Sequence, residues 1–270
     1  TSPYKCNSCK RTLKPAGYTS HPRFGHNLMV WSMHQYIAYQ ISMESLRKIA
    51  NQYFGLPLDG RQIWRLKVSA ANFYKGTYDN IFDTILTGDL IHADETKVNF
   101  QHGSGYIWVF SNMDEVYYLY RPTREANFLH KLLKDYKGIL ITDFYSGYDS
   151  LECLQQKCLV HLIRDLNNAL LKNPLDDELR DLVIRFGNLL KNIINTIDKY
   201  GLKTRHMRKH RKEVDRFFKW LKKKFFNSDI VDKFSKRLVK YENKLFLFLD
   251  YDNLPWNNNN AEHAIKHFAK

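Results

Sequence analysis

Three acidic residues stand in settings that suit metal-dependent chemistry. Asp94 lies in Ile91-His92-Ala93-Asp94-Glu95-Thr96, and Asp143 closes the apolar run Ile139-Leu140-Ile141-Thr142. Glu262 follows Leu254-Pro255-Trp256-Asn257-Asn258-Asn259-Asn260-Ala261. Two carboxylates brought within a few ångströms repel each other and raise a pKa, and a divalent metal removes the conflict. Hard oxygen ligands on a rigid sheet suit Mg²⁺ or Mn²⁺. A third carboxylate holds a second ion. Two ions about 3.5–4 Å apart clamp the attacking and leaving oxygens of an in-line phosphoryl transfer, with no covalent enzyme intermediate. Taken singly, each residue has a plainer role, since an Asp at a strand end is commonly a turn or capping group.

These side chains need a sheet to carry them. Strand-like patterns cover Asp89–Phe100, Tyr106–Phe110 and Glu115–Tyr120, rich in aromatic and β-branched residues. A helix is expected over Arg124–Tyr136, ended by Gly138, and Ile139–Thr142 is fully apolar, as buried parallel strands are. A further strand is expected over Lys157–Val160, then a helix from His161 to Lys172. The order β-β-β-α-β-α-β-α predicts an α/β fold with a central first strand and the fourth parallel beside it. Asp94 and Asp143 then become neighbours, while Glu95 points to the opposite face. The asparagine run offers side-chain acceptors to a helix start. Asn259 or Asn260 as N-cap places Glu262 in the first turn, and Pro255 stiffens the approach.

The rest of the chain divides by composition. Residues 1–26 are rich in turns and contain Cys6-x2-Cys9, half of a zinc knuckle; His21 and His26 have the spacing to complete a Zn²⁺ set, although Pro15 and Gly17 oppose a finger helix. Residues 27–86 look helical. Leu46, Ile49, Ala50 and Tyr53 follow helical spacing, Gly55–Asp59 breaks it and Gly60–Tyr74 resumes it. This helix-turn-helix pattern carries Arg61, Gln62, Arg65 and Lys67 on its second helix, side chains able to meet bases and phosphates. Residues 87–173 hold the strands, 174–250 form a basic helical insertion, and 251–270 return to the core with Glu262. In the insertion, Val214, Phe217, Phe218, Leu221 and Phe225 form an apolar stripe.

The 270 residues carry a formal net charge of +14. Residues 201–244 hold sixteen Lys/Arg against five Asp/Glu. So concentrated a positive field is the footprint of a polyanion partner, nucleic acid above all. No apolar run reaches the roughly 18 residues that span a bilayer, so no membrane partner is expected. No secretory signal is expected either. Four cysteines are too few for a disulfide scaffold, which implies a reducing, cytoplasmic setting.

Asp94-Glu95-Thr96, Gly105-Tyr106-Ile107-Trp108-Val109-Phe110, Arg121, Gly138 through Tyr148, Cys158-Leu159-Val160-His161 and Asn258-Asn259-Asn260-Ala261-Glu262 together resemble the DDE transposases of bacterial and archaeal insertion sequences. The resemblance is greatest to the IS66 family and covers roughly residues 4–270. It implies a ribonuclease H-like mixed sheet with flanking helices, two metal ions, and cut-and-join chemistry on transposon ends and target DNA. It also implies a homodimer on DNA in the prokaryotic nucleoid. Asp94, Asp143 and Glu262 become the catalytic, metal-binding triad. Cys158-x2-His161 matches the same family, and His161, with Arg164 one turn on, is a candidate at the scissile phosphate.

The 118 residues between Asp143 and Glu262 look like the insertion domain that several such transposases carry. Arg205, Arg208, Lys209, Arg211 and Lys212 are its candidate DNA contacts. The family often has a zinc ribbon before its core; here Cys6 and Cys9 read as its remainder, with nothing before Thr1. Two rival functions follow from the same residues. One is a ribonuclease H-like nuclease or resolvase that cuts without joining; the other is a catalytically inactive DNA-binding remnant.

Overall fold

The computed structural model describes residues 4–13, 24–101 and 103–266. The chain forms two compact units, Thr1–Thr77 and Tyr78–Lys270.

The first unit opens with a small antiparallel hairpin of β1 (Tyr4–Lys5) and β2 (Thr12–Leu13), in which Tyr4 pairs with Leu13. Its turn is closed by Lys10 N–H donating to the Cys6 carbonyl at 2.9 Å, with Lys10 at φ 58°. Three helices follow: α1 (His26–Ala38), α2 (Met43–Phe54) and α3 (Gly60–Phe73). Ser42 caps α2 by accepting from Ser45 N–H, and Gly55 ends it at φ 62°, a left-handed C-terminal cap that favours glycine. Asp59 and Gln62 form a reciprocal capping box at the start of α3. Met29, Met33, Leu46, Ala50, Leu58, Ile63, Leu66 and Ala70 make the core of the three helices. The helix, turn and helix expected from Gly55–Asp59 and Gly60–Tyr74 are therefore present.

Helix α4 (Lys75–Thr87) leads into β3 (Leu90–Phe100), β4 (Gly103–Ser111) and β5 (Val116–Arg121), an antiparallel run. The short α5 (Asn127–Leu132) precedes β6 (Ile139–Thr142). A 3-10 turn over Ser146–Tyr148 then leads to β7 (Leu154–Lys157). The five strands lie in the order β5-β4-β3-β6-β7, with β3–β6 and β6–β7 parallel. The central first strand and its parallel fourth neighbour match expectation. At Gly138 a Cβ would lie 2.6 Å from the Asp89 carbonyl, which instead accepts from Ile139 N–H at 2.8 Å. That close approach brings β6 against β3.

One face of the sheet packs Ile91, Ala93, Trp108, Phe110 and Leu140 with Phe82, Leu129 and Tyr148. The other packs Ile139 and Ile141 with Leu159, Leu162 and Leu166 of α6 (Leu159–Lys172), continuous with the core of the insertion. The insertion is built from α7 (Asp177–Tyr200), α8 (Thr204–Met207), α9 (Arg211–Lys223), α10 (Asp229–Lys240) and α11 (Glu242–Leu245). The chain then returns to the sheet as α12 (Asn259–Ile265).

Four expectations need correction. The last strand lies at Leu154–Lys157, not Lys157–Val160, and α6 starts at Leu159. The connection from β6 to β7 holds only a 3-10 turn where a helix was expected. Helix α5 is six residues long, well short of Arg124–Tyr136. Phe225 leaves the apolar stripe because α9 stops at Lys223 and Lys224 turns extended, so Phe225 is exposed while Val214, Phe217, Phe218 and Leu221 are buried. No helix among the described residues is long and apolar enough to cross a membrane.

Candidate active site

Residues His92 and Ile141 are opposed in the parallel ladder of β3 and β6. Two residues on from each are Asp94 and Asp143, the latter one residue past the strand. A period of two keeps both on the face of their partners. Val109 opposes Asp94 on β4 and packs with Ala261 and Ile265 of α12. The face carrying Asp94 is thus the face that α12 covers. Residues 258, 261, 262 and 265 share one side of a helix, so Glu262 is directed toward the same region.

Each carboxylate is tied locally. Asp94 Oδ1 accepts from Glu95 N–H at 2.9 Å, and Asp143 Oδ1 accepts from Tyr145 N–H at 2.8 Å. Burial, reinforced by the charges of Glu95, Asp143 and Glu262, pushes Asp94 up to about 7. Glu95 lies on the other face and is held by Arg124 at 2.6 Å and by the Tyr148 hydroxyl, which donates at 2.7 Å. Burial and the charge of Asp143 still hold its carboxyl above the ordinary range. The set is short of positive charge, and oxygen donors of this kind suit a hard divalent cation.

Asn258 brings α12 to the sheet. Its side-chain N–H donates to the Ala93 carbonyl at 2.8 Å, its Oδ1 lies 3.1 Å from His92 Nδ1, and its backbone N–H donates to Cys158 Sγ at 3.2 Å. The bond to Ala93 fixes the amide orientation, so His92 Nδ1 must carry the proton. Burial holds His92 below its usual pKa, with the Asn258 contact opposing the shift. The expected role of Asn259 or Asn260 as N-cap is corrected by this arrangement. Asn258 occupies the cap position, makes no side-chain capping bond and reaches across to β3 instead. Asn260 Oδ1 accepts from Ser111 Oγ at 2.7 Å, and Asn257 Oδ1 accepts from Asn259 N–H. Glu262 does lie in the first turn.

His161, in the first turn of α6, has Nδ1 3.5 Å from Glu262 Oε1. Cys158, His161 and Glu262 are the one group of three His, Cys, Asp or Glu among the described residues whose ligand atoms lie within 4.8 Å of one another. Glu262 is turned toward this pair, so the three carboxylates are not closed around a single point. Lys157, which pattern reasoning missed, is fully buried beneath the site. Its ammonium donates to Thr142 Oγ1 at 3.0 Å and lies 3.4 Å from Asp149. Burial lowers it to about 8.

The expected DNA contacts are mostly exposed. Arg61, Arg65 and Lys67 are exposed on α3, and Arg164 is exposed on α6. Arg205, Arg208, Lys209 and Lys212 are exposed in the insertion, whereas Arg211 is half-buried and chelated by Asp250. Cys6 accepts from Cys9 N–H at 3.5 Å, and amide donors there hold its thiol below the usual range. His26 bonds Tyr74 instead, and His21 lies outside the described residues.

No curated protein matches the chain. The family model described as the IS66 family transposase matches residues 21–270, nearly the whole sequence, and the chain belongs to the IS66 transposase family.

Proposed function

We propose that the chain is a metal-dependent DNA transposase that cleaves strands at insertion-sequence ends and joins them to target DNA. The observation that carries this reading is the level placement of Asp94 on β3 and Asp143 just past the end of its parallel neighbour β6, on the face that α12 covers with Glu262. The strand order, three antiparallel and two parallel, supports a ribonuclease H-like core.

Asp94, Asp143 and Glu262 would hold Mg²⁺ or Mn²⁺, which when bound activates the attacking hydroxyl and stabilises the leaving 3′ oxygen. The burial and neighbouring carboxylates that lift Asp94 to about 7 and the partnerless, buried Oε1 of Glu262 both fit a cation. The chain's own residues do the rest. Asn258 sets the height of Glu262 above β3, and backbone amides aim one oxygen each of Asp94 and Asp143. Rotation of the Glu262 side chain away from His161 would turn it toward Asp94 and Asp143. Arg164 lies on the helix after β7 and suits a phosphate. Arg205, Arg208, Lys209 and Lys212 give the insertion a surface for the duplex backbone, and α3 offers Arg61, Arg65 and Lys67. Two ends must be held together, which favours a homodimer on DNA in the prokaryotic cytoplasm.

The test is nicking of a supercoiled plasmid carrying the element's ends, with Mg²⁺ or Mn²⁺. Wild-type protein is expected to nick it, and Asp143→Asn is expected to bind DNA without nicking. Equal nicking by both would sink the assignment. Strand transfer from pre-cut ends separates a transposase from a nuclease.

A further inference from the structure

Beside the carboxylates lies a donor set of different chemistry. Cys158 occupies the N-cap position of the 14-residue α6, and His161 is in its first turn. Glu262 meets them from α12. His161 Nδ1 and Glu262 Oε1 are both buried, and neither has a hydrogen-bond partner. Their separation of 3.5 Å is too long for a strong charge-assisted bond. Two such atoms facing each other are a cost unless something sits between them.

Burial raises the Cys158 thiol above its ordinary range, and amide donors oppose that shift: Asn258 N–H donates to Sγ at 3.2 Å, and the amides of Val160 and His161 favour the charged form. The start of a helix adds a positive dipole. Ligand atoms on a tetrahedral zinc ion lie about 3.3–3.8 Å apart, given Zn–S near 2.3 Å and Zn–N near 2.0 Å. The three atoms here lie within 4.8 Å of one another. Contraction by about 1 Å, within reach of side-chain rotation, completes a three-ligand site with one open position. Thiolate and imidazole select a soft or borderline cation and reject Mg²⁺.

We propose that Cys158, His161 and Glu262 bind a thiophilic divalent cation of the zinc class, and that this ion holds Glu262 in the orientation turned toward His161. The two cation chemistries then compete for one carboxylate. A hard ion draws Glu262 toward Asp94 and Asp143, and a thiophilic ion draws it away.

The probe is Co²⁺ added to the full chain carrying Cys6→Ser and Cys9→Ser, which removes the other thiol pair. A sulfur-to-cobalt charge-transfer band with tetrahedral visible absorption is expected. It should vanish in Cys158→Ser, which keeps an acceptor for Asn258 N–H. Glu262→Gln and His161→Ala should each weaken Co²⁺ binding by at least about tenfold. Zn²⁺ should bleach the band at near-stoichiometric addition, whereas Mg²⁺ should weaken it only in large excess, by drawing Glu262 toward Asp94 and Asp143. Thermal melts of each variant identify any that fail to fold, and the Zn²⁺ displacement on the parent chain needs none of them. No band in the parent chain overturns the proposal. So does a band that survives Cys158→Ser, or one indifferent to Glu262→Gln.

The functional consequence rests on the transposase reading: Zn²⁺ should inhibit Mg²⁺-dependent nicking by wild-type protein and spare Cys158→Ser. Inhibition equal in both overturns the competition for Glu262. Absence of nicking altogether counts against the transposase reading, while the absorption spectrum still decides the site.

Discussion

Asn258 and His92 lie 166 residues apart in sequence and meet at 3.1 Å inside the protein. The same asparagine donates to Ala93 and is fully buried. One fully buried amide therefore fastens the helix bearing Glu262 to the strand bearing Asp94. Asn258→Ala should lose about 2–4 kcal/mol of stability, because it strands the His92 N–H and the Ala93 carbonyl without partners. Urea unfolding at constant m-value measures this. Nicking should fall further than the unfolded fraction explains, since the height of Glu262 is no longer set.

Stability of the metal-free protein should fall as pH rises from about 4 to about 7. Asp94 has a folded pKa near 7 against an ordinary value of 3.8. Between those values the folded state binds the extra proton, so raising pH favours unfolding. Melting curves in EDTA should show this slope in the wild type and a shallower one in Asp94→Asn. Mn²⁺ should raise the wild-type Tm above pH 7 and leave the variant unchanged. An Asp94→Asn slope equal to the wild type would show that this carboxyl is not the one under strain.

Glu95 depends on Arg124. Its side chain is 1% exposed, while that of Arg124 is 48% exposed. Arg124→Ala should cost about 2 kcal/mol by leaving a buried carboxylate without its cation. Glu95→Gln in the same chain should recover most of that loss. A double-mutant cycle with no coupling would contradict the pairing.

Among the basic residues of the insertion, exposure sorts two outcomes. Arg208→Ala, Lys209→Ala and Lys212→Ala should each lower the slope of log affinity against log salt by about 1, with little change in Tm. Arg211→Ala should lower Tm instead, because Arg211 holds Asp250 and with it the segment that returns to the sheet. Fluorescence anisotropy on duplex DNA, alongside melting curves, separates the two.

Much of this was legible from pattern. The apolar run Ile139–Thr142 is a four-residue strand with every residue buried, and the helix-turn-helix pattern of residues 43–73 follows Gly55 and Asp59. Those signals are local: burial on one side, a left-handed cap, a capping box. Strand β7 was misplaced because its burial runs against polarity. Leu154 is exposed while Gln155, Gln156 and Lys157 are buried. Each is satisfied by a hydrogen-bond partner outside its own strand. Gln156 donates to the Leu245 carbonyl and accepts from Phe248 N–H, and Gln155 bonds the carbonyls of Tyr148 and Leu151. Hydrophobic periodicity cannot report a strand buried by hydrogen bonds.

The candidate site shows the same division. The acidic residues could be named from strand ends and the asparagine run, but Asn258 could not be told from its three neighbours. What distinguishes it is the Ala93 carbonyl across the interface, a contact with no sequence signature. Lys157 was overlooked for a like reason, since a lysine in a strand is ordinarily taken as solvent-facing.

The bonds from Gln156 to Leu245 and Phe248 have a bearing on timing. They staple the far end of the insertion to β7, and only beyond that staple does the chain reach Asn258. The antiparallel strands β3 to β5 and the long helices can gain their hydrogen bonds early, from near neighbours. Closure of α12 over β3 must wait for a contact of very high sequence separation, and such contacts form slowly. Refolding should therefore restore helicity well before it restores Mn²⁺ affinity, leaving an interval in which the protein is well formed yet chemically silent.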